Sequence, residues 1–257
     1  MSHLVFRVFL CRADNYGVLI NDTATGKTVS IDAPDASVIM AELDKSGWSL
    51  THILTTHHHS DHVEGNIALK KRFACTIMGP KSEADLIPAI DQQVGGGDLL
   101  SWAGHTIGVM DCPGHTKGHI AYHMPSEAVV FAGDTLFSLG CGRVFEGTMD
   151  EMYRSVSQFK KLPKETRLYC GHEYTLSNAR FALSVEPGNV NLQERAAEVN
   201  ERRARHQLTC PSTIGAELAA NPFLRTDSPE IRTVLEMNGE TDAKVFAELR
   251  RRKDVFK

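Results

Sequence analysis

The sequence predicts an α/β protein that gives way to a smaller helical domain near residue 174, and three observations carry that reading. Short β-branched runs alternate with turns and helical stretches through the first two thirds. Several strand-like runs lead straight into a His or Asp. Beyond Tyr174 the strand-like runs vanish. The expected domains are therefore 1–174 and 175–257, within what 257 residues allow.

The elements follow in order. "LVFRVFL", "YGVLI" and "TVSID", separated by the turn "NDTATGK", read as an opening β-meander. Apolar positions Val38, Ile39, Leu43 and Trp48 suit an amphipathic helix over 36–48, and "LTHIL" is the next strand. A helix over 64–73, the strand "CTIMG" and a turn-rich, mobile loop "DQQVGGGDLL" come next. "HTIGVMDCPGH", "AVVFAGD" and "TRLYCGH" read as strands that each end at a ligand-type residue. The tail holds helices in "LSNARFALSV", "NLQERAAEVNERRARHQ", "STIGAELAA" and "DAKVFAELRRRK". In "SPEI", Ser228 is the expected cap and Pro229 the first-turn residue of another helix.

Composition narrows the class. A hydrophobic share of 42% with 23% charged residues is that of an ordinary globular protein, and no apolar run approaches the roughly 20 residues of a membrane span. The start "MSHLVFRVFLCRADN" reads as a strand, since it lacks a basic opening and a small-residue cleavage site. The six scattered cysteines form no CxxC pair and no disulfide framework, which fits packing roles in a reducing cytoplasm. A net charge of -4 argues against a general nucleic-acid surface, with "RRRKDVFK" the local exception.

The stretch "TTHHHSDH" at 55–62 concentrates four imidazoles and a carboxylate just after a strand. In an extended segment side chains alternate, so His57 and His59 point one way and His58 the other. Asp61 and His62 then fall at a helix start, where the turning chain aims them at a second point. Two metals are expected, because burying so many polar groups without partners is costly. Further ligands should come from other strand ends. "CPGHTKGH" offers His115 and His119, "FAGDT" offers Asp134, and "YCGHEYT" offers His172 and Glu173; spacing does not choose between His115 and His119.

With these residues assembled, the chain resembles the metallo-β-lactamase superfamily and, within it, the glyoxalase II (hydroxyacylglutathione hydrolase) family. "THHHSDH", "PGHTKGH", "GDTLF", "GCGR", "GHEYT", "EPGN", "NPFLR" and "LRRRKD" stand in the family's order over essentially the whole chain. The resemblance implies an αββα sandwich followed by an all-α C-terminal domain. It implies two divalent ions, zinc in the first instance and iron or manganese as alternatives. One would be held by His57, His59 and His115, the other by Asp61, His62 and His172, with Asp134 bridging. His58 and His119 would be non-ligands. Arg143, Tyr174, Arg250 and Lys253 map onto the residues that bind glutathione, whose two carboxylates suit cationic partners. Phe145 stands where some relatives carry Tyr, Arg143 where some carry Lys, and Ser60 where a larger ring is common.

The implied reaction is hydrolysis of S-2-hydroxyacylglutathione thioesters such as S-D-lactoylglutathione to D-lactate and glutathione, a step in methylglyoxal detoxification. A water acidified toward a pKa of about 7 by the two ions would attack as hydroxide, positioned by Asp61 and Asp134. The glutathione thiolate leaves unaided, since its conjugate thiol has a pKa of about 8.5. No Ser-His-Asp or Cys-His pattern competes. A persulfide dioxygenase-like iron oxidoreductase and a lactonase are the alternatives on the same scaffold. The two-metal ligand set and the long tail disfavour the first, and Arg250 and Lys253 are superfluous to the second. A metal-dependent ribonuclease and a non-catalytic binding module fit less well still. The expected partner is a small-molecule thioester, with no nucleic acid or membrane, and the expected state is a monomer.

Overall fold

In the computed structural model, which describes residues 3–256, the chain forms two compact units. One gathers the residues up to Asp111 together with Lys117–Gly133, and the other joins Cys112–Thr116 to everything from Asp134 onward.

The first unit opens with the meander β1 (Leu4–Cys11), β2 (Asn15–Asp22) and β3 (Lys27–Ile31). Edge strand β1 exposes every second residue from Val5 to Arg7, whereas β2 is buried along its length because both its faces are covered. From β3 the sheet continues in parallel through β4 (Ser49–Leu54), β5 (Thr76–Pro80) and β6 (Gln92–Val94). Parallel neighbours require crossovers, and helices supply them. They are α1 (Ala36–Ser46) between β3 and β4, and α2 (Ser60–Val63) with α3 (Asn66–Phe73) between β4 and β5. Asp35 caps α1 by accepting from the N–H groups of Ser37 and Val38, and Gly47 ends it in the left-handed conformation. Ile39 and Leu43 of α1 then pack with Leu19, Leu50, Ile53, Leu69 and Ile77 in the core. The loops that follow β3 and β4 thus leave the same edge of the sheet, side by side.

The antiparallel strands β7 (Leu99–Trp102), β8 (His105–Asp111), β9 (Ile120–Met124) and β10 (Val129–Phe131) complete this unit. The segment 91–100, read from sequence as one mobile loop, is instead β6, a turn and the start of β7. Carboxylates order the turn: Gly95 N–H donates to Asp98 at 2.8 Å and Gly96 N–H to Asp111 at 2.7 Å. Strand β9, unread in the sequence, fixes the chain beyond β4. Tyr122 hydroxyl donates to Thr55 O at 2.8 Å, and Ile120 N–H to Thr56 O at 2.9 Å.

The second unit holds the hairpin β11 (Leu136–Phe137) and β12 (Gly140–Cys141), helix α4 (Met149–Gln158), and the strand β13 (Arg167–Tyr169). Then follow α5 (Thr175–Val185), α6 (Val190–Ala204), β14 (Ser212–Thr213), α7 (Ile214–Ala220), α8 (Pro229–Val234) and α9 (Asp242–Val255). Thr148 and Glu151 form a capping box on α4. Two details depart from the sequence reading. Ser212 and Thr213 pair with β13 rather than opening the helix, and Thr213 caps α7 through Ala216 N–H. Ser228 does stand at the start of α8, yet its hydroxyl binds Glu186 at 2.5 Å and not the helix N–H groups. Leu139, Ala179, Ala182, Leu192, Ala196 and Ala220 form a helical core in which small residues let the helices approach closely. Among the described residues no helix is long and apolar enough to cross a membrane.

Candidate metal centre

In the first unit the segment beyond β4 carries His57, His58 and His59 in extended backbone and Asp61 and His62 in the short helix α2, as alternation and a turn require. Ligand atoms of His57 and His59, of His57 and His62, and of Asp61 and His62 lie within 4.8 Å of each other. His57 and His62 are buried, while His59 and Asp61 are partly open to solvent.

The tautomers follow from the partners. Asp32, at the end of β3, accepts the Thr56 hydroxyl at 2.9 Å and lies 2.8 Å from His62 Nδ1. A carboxylate only accepts, so Nδ1 of His62 carries the proton and Nε2 keeps its lone pair. With its single hydrogen given to Asp32, the Thr56 hydroxyl must accept from His57 Nδ1, 3.0 Å away. His57 therefore also presents Nε2. One buried aspartate orients two imidazoles, the arrangement that supports metal ligands elsewhere. Asp61 is held in turn by Asn15, whose amide donates to its Oδ2 at 2.9 Å and its carbonyl at 3.1 Å.

In the second unit three scattered residues converge. Nε2 of His115 lies 3.4 Å and Nε2 of His172 lies 3.3 Å from the same oxygen, Asp134 Oδ2. All three side chains are buried. His115 Nδ1 faces the Arg143 carbonyl at 2.8 Å, so its proton is there and its Nε2 lone pair points at a carboxylate. Lone pair against carboxylate is repulsive unless a cation intervenes. The donor set, imidazole and carboxylate only, therefore fits divalent metal ions.

The residues expected to bind glutathione also gather in this unit. Arg143 Nε and Arg250 Nη2 lie 3.7 Å and 3.0 Å from Asp254 Oδ1. Arg250 is buried, donating to Cys141 O at 2.7 Å and stacking on Phe223. Lys253 donates to Ser177 Oγ at 2.8 Å, in the first turn of α5. Burial, with help from the charges of Arg250 and Arg143, pushes its ammonium pKa down to about 8. Tyr174 stacks on His172 with ring centroids 4.7 Å apart, and exposed Phe145 meets the ring of His115 edge-on.

Other candidates are occupied otherwise. Glu173 accepts from Thr209 N–H and hydroxyl and from Arg203. His119 is fully buried and stacks on His57, beneath Gly133, where a Cβ would come within 2.7 Å of both His119 Nε2 and Thr56 Oγ1. All six cysteines are buried free thiols. Burial raises Cys141 to about 11, and a hydrogen bond with Cys210 together with burial raises Cys170 well above the usual thiol value, so neither is a thiolate at neutral pH. Asp32, Asn15 and Asp254 escaped the sequence reading. Asp32 had a signal, since "SID" ends a strand in an acidic residue just as "FAGD" does.

Residues 8–172 match the model of the metallo-β-lactamase superfamily, which defines the class of fold and site. Solved structures share the fold: a B3 metallo-β-lactamase, BLEG-1, at TM-score 0.67 and 21% identity over 86% of this chain and 100% of its own. ETHE1 from Myxococcus xanthus aligns at TM-score 0.67 and 25% identity over 96% and 97% of the two chains. Residues 173–256 match the model described as the hydroxyacylglutathione hydrolase C-terminus. The hydroxyacylglutathione hydrolase of Rhizobium meliloti (strain 1021) is 55% identical over the full length of both chains, and that of Maricaulis maris (strain MCS10) is 52% identical. The chain belongs to the hydroxyacylglutathione hydrolase (glyoxalase II) family.

Proposed function

We propose that the chain hydrolyses S-2-hydroxyacylglutathione thioesters, typified by S-D-lactoylglutathione, to the hydroxy acid and glutathione. As a member of this family it is a metal-dependent thioester hydrolase. His57, His59 and His115 would hold one ion and Asp61, His62 and His172 the other, with Asp134 shared. The observation that supports this most directly is the approach of two histidine Nε2 atoms to one Asp134 oxygen. Zinc is the first expectation, and iron or manganese suits the same donors.

Bound ions would acidify a water toward a pKa of about 7 and polarise the thioester carbonyl. Asp134 and Asp61 would orient that water and take up its hydrogen bonds. Arg143, Arg250, Lys253 and Tyr174 would hold the glutathione moiety, which is the work we assign to the helical domain 175–257 alongside the catalytic domain 1–174. The departing thiolate needs no proton donor, and no thiol of the chain competes as nucleophile. A monomer in a reducing cytoplasm is consistent with six free thiols.

The test is thioester loss from S-D-lactoylglutathione with metal content measured in the same sample, for the wild type and for Lys253→Ala. Hydrolysis with about two ions bound and a mutant whose KM rises alone supports the assignment. A fully metallated protein that spares this thioester, or that opens lactones equally well, overturns it.

A further inference from the structure

The middle residue of the histidine run is surplus to the ligand reading, and its surroundings give it a task. His58 Nδ1 lies 2.9 Å from Glu83 Oε2, and the His58 main-chain N–H donates to that same oxygen at 2.9 Å. The other oxygen, Oε1, accepts from Gly118 N–H at 2.7 Å. Glu83 is 4% exposed and sits in the turn that follows β5. Gly118 is required there, since a Cβ would meet Ser82 Oγ at 2.3 Å and Glu83 Cγ at 2.6 Å. A single buried carboxylate thus ties the extended segment 57–59 to the turn before β9, whose His119 stacks on His57.

We propose that Glu83 is a positioning residue for the ion at His57 and His59, acting through His58. By accepting from the His58 main-chain N–H, with the ring Nδ1 2.9 Å from the same oxygen, it fixes the extended conformation at that residue. Alternation then throws the two flanking imidazoles to one side at ligand spacing. His58 is the handle: its main-chain N–H makes the bond, and its ring lies against the same carboxylate. The proposal rests on reading His57 and His59 as ligands.

Glu83→Gln keeps the shape but turns one acceptor oxygen into an NH2 donor, so either His58 or Gly118 loses its acceptor. The expected result is a metal affinity lower by about 10- to 100-fold in chelator competition, the range for groups that support ligands. In cobalt-substituted protein the visible absorption bands should shift. The KM for S-D-lactoylglutathione should stay within about 2-fold while kcat falls, because no glutathione contact is touched. His58→Ala in the Glu83→Gln background should add little, as for residues acting as one unit.

An affinity and cobalt spectrum equal to wild type, with only the melting temperature of the metal-free protein lowered, would make Glu83 a structural residue and overturn the proposal. Additive effects of the two substitutions would overturn it too. Should Glu83→Gln fail to fold, Glu83→Asp keeps the charge at shorter reach, and the same affinity and spectral criteria apply. The parent reading is checked separately. If His57→Ala retains both ions, the ligand assignment falls and takes this proposal with it; if His57→Ala loses an ion while Glu83→Gln retains both tightly, only the role of Glu83 falls.

Discussion

The two halves of the proposed ligand set are built in opposite ways. In the first unit His57, His59, Asp61 and His62 are neighbours in the chain, and local rules place them: alternation along an extended segment, then a helix start. In the second, His115, Asp134 and His172 come from three distant turns and meet only through the fold. Local placement should survive the loss of any one of these four side chains, because the backbone that spaces the others remains. Convergent placement depends on each member, since Asp134 is what the other two approach.

That difference is sharpest at Asp134. Asp134→Ala should lower kcat/KM by a thousandfold or more, on the order of 4 kcal/mol, and reduce metal content as well. Steady-state kinetics with metal analysis check it. Equal loss of both ions in Asp134→Ala, against loss of one in His59→Ala, would sharpen the contrast; indistinguishable metal contents would break it.

Sequence legibility divides along the same line. The strand-end rule found every ligand-type residue proposed here, and the meander, α1 and the helical tail were readable because their periodicity is long and regular. The rule could not choose His115 over His119, since both follow β8 and they differ only in distant partners: His119 stacks on His57, whereas His115 approaches Asp134. Short elements failed for a related reason. β6, β9 and β14 are set by partners far away in sequence, and the glycine run 95–97 reads as a loop until the carboxylates of Asp98 and Asp111 bind its N–H groups. The pairings of supporting residues were hidden, because even with Asp32 standing at a strand end nothing local ties it to His62, or Asn15 to Asp61.

Asp32 tests whether the first half is as local as it looks. Asp32→Asn keeps the size but lets an amide face the Thr56 hydroxyl or His62 Nδ1, which frees both imidazoles to change tautomer. Metal affinity should fall by about 10- to 100-fold. A chelator titration that finds wild-type affinity would mean that the segment 57–62 holds its geometry alone.

In the second unit Arg250 should reveal two roles at once. It is buried against Cys141 O and Phe223, so Arg250→Ala strands a carbonyl and should cost about 1–3 kcal/mol of stability as well as raising KM. Denaturant unfolding and kinetics on the same sample separate the two. Lys253 gives a pH signature instead. With its ammonium pKa near 8, the protonated form that attracts carboxylate is complete below that pH and is lost as pH rises through it. KM should climb above about pH 8 in the wild type and stay flat there in Lys253→Met, read from initial rates across pH 6.5 to 9.5.

The smallest effect is expected at Tyr174, where the two roles of the second unit touch. Its ring lies flat on His172, with planes 3° apart, and edge-on to Phe137, so the ring would support the proposed ligand while the hydroxyl is the group proposed to meet the substrate. Tyr174→Phe keeps the ring and removes only the hydroxyl. One neutral hydrogen bond is worth about 1 kcal/mol, so KM should rise roughly fivefold with kcat and metal content unchanged. Tyr174→Ala removes the stack as well, and His172 should then hold its ion less firmly. If the two variants behave alike, the hydroxyl carries everything and the stack on His172 is mere packing; if only the alanine variant loses metal, convergent placement extends outward to the residues that read the substrate.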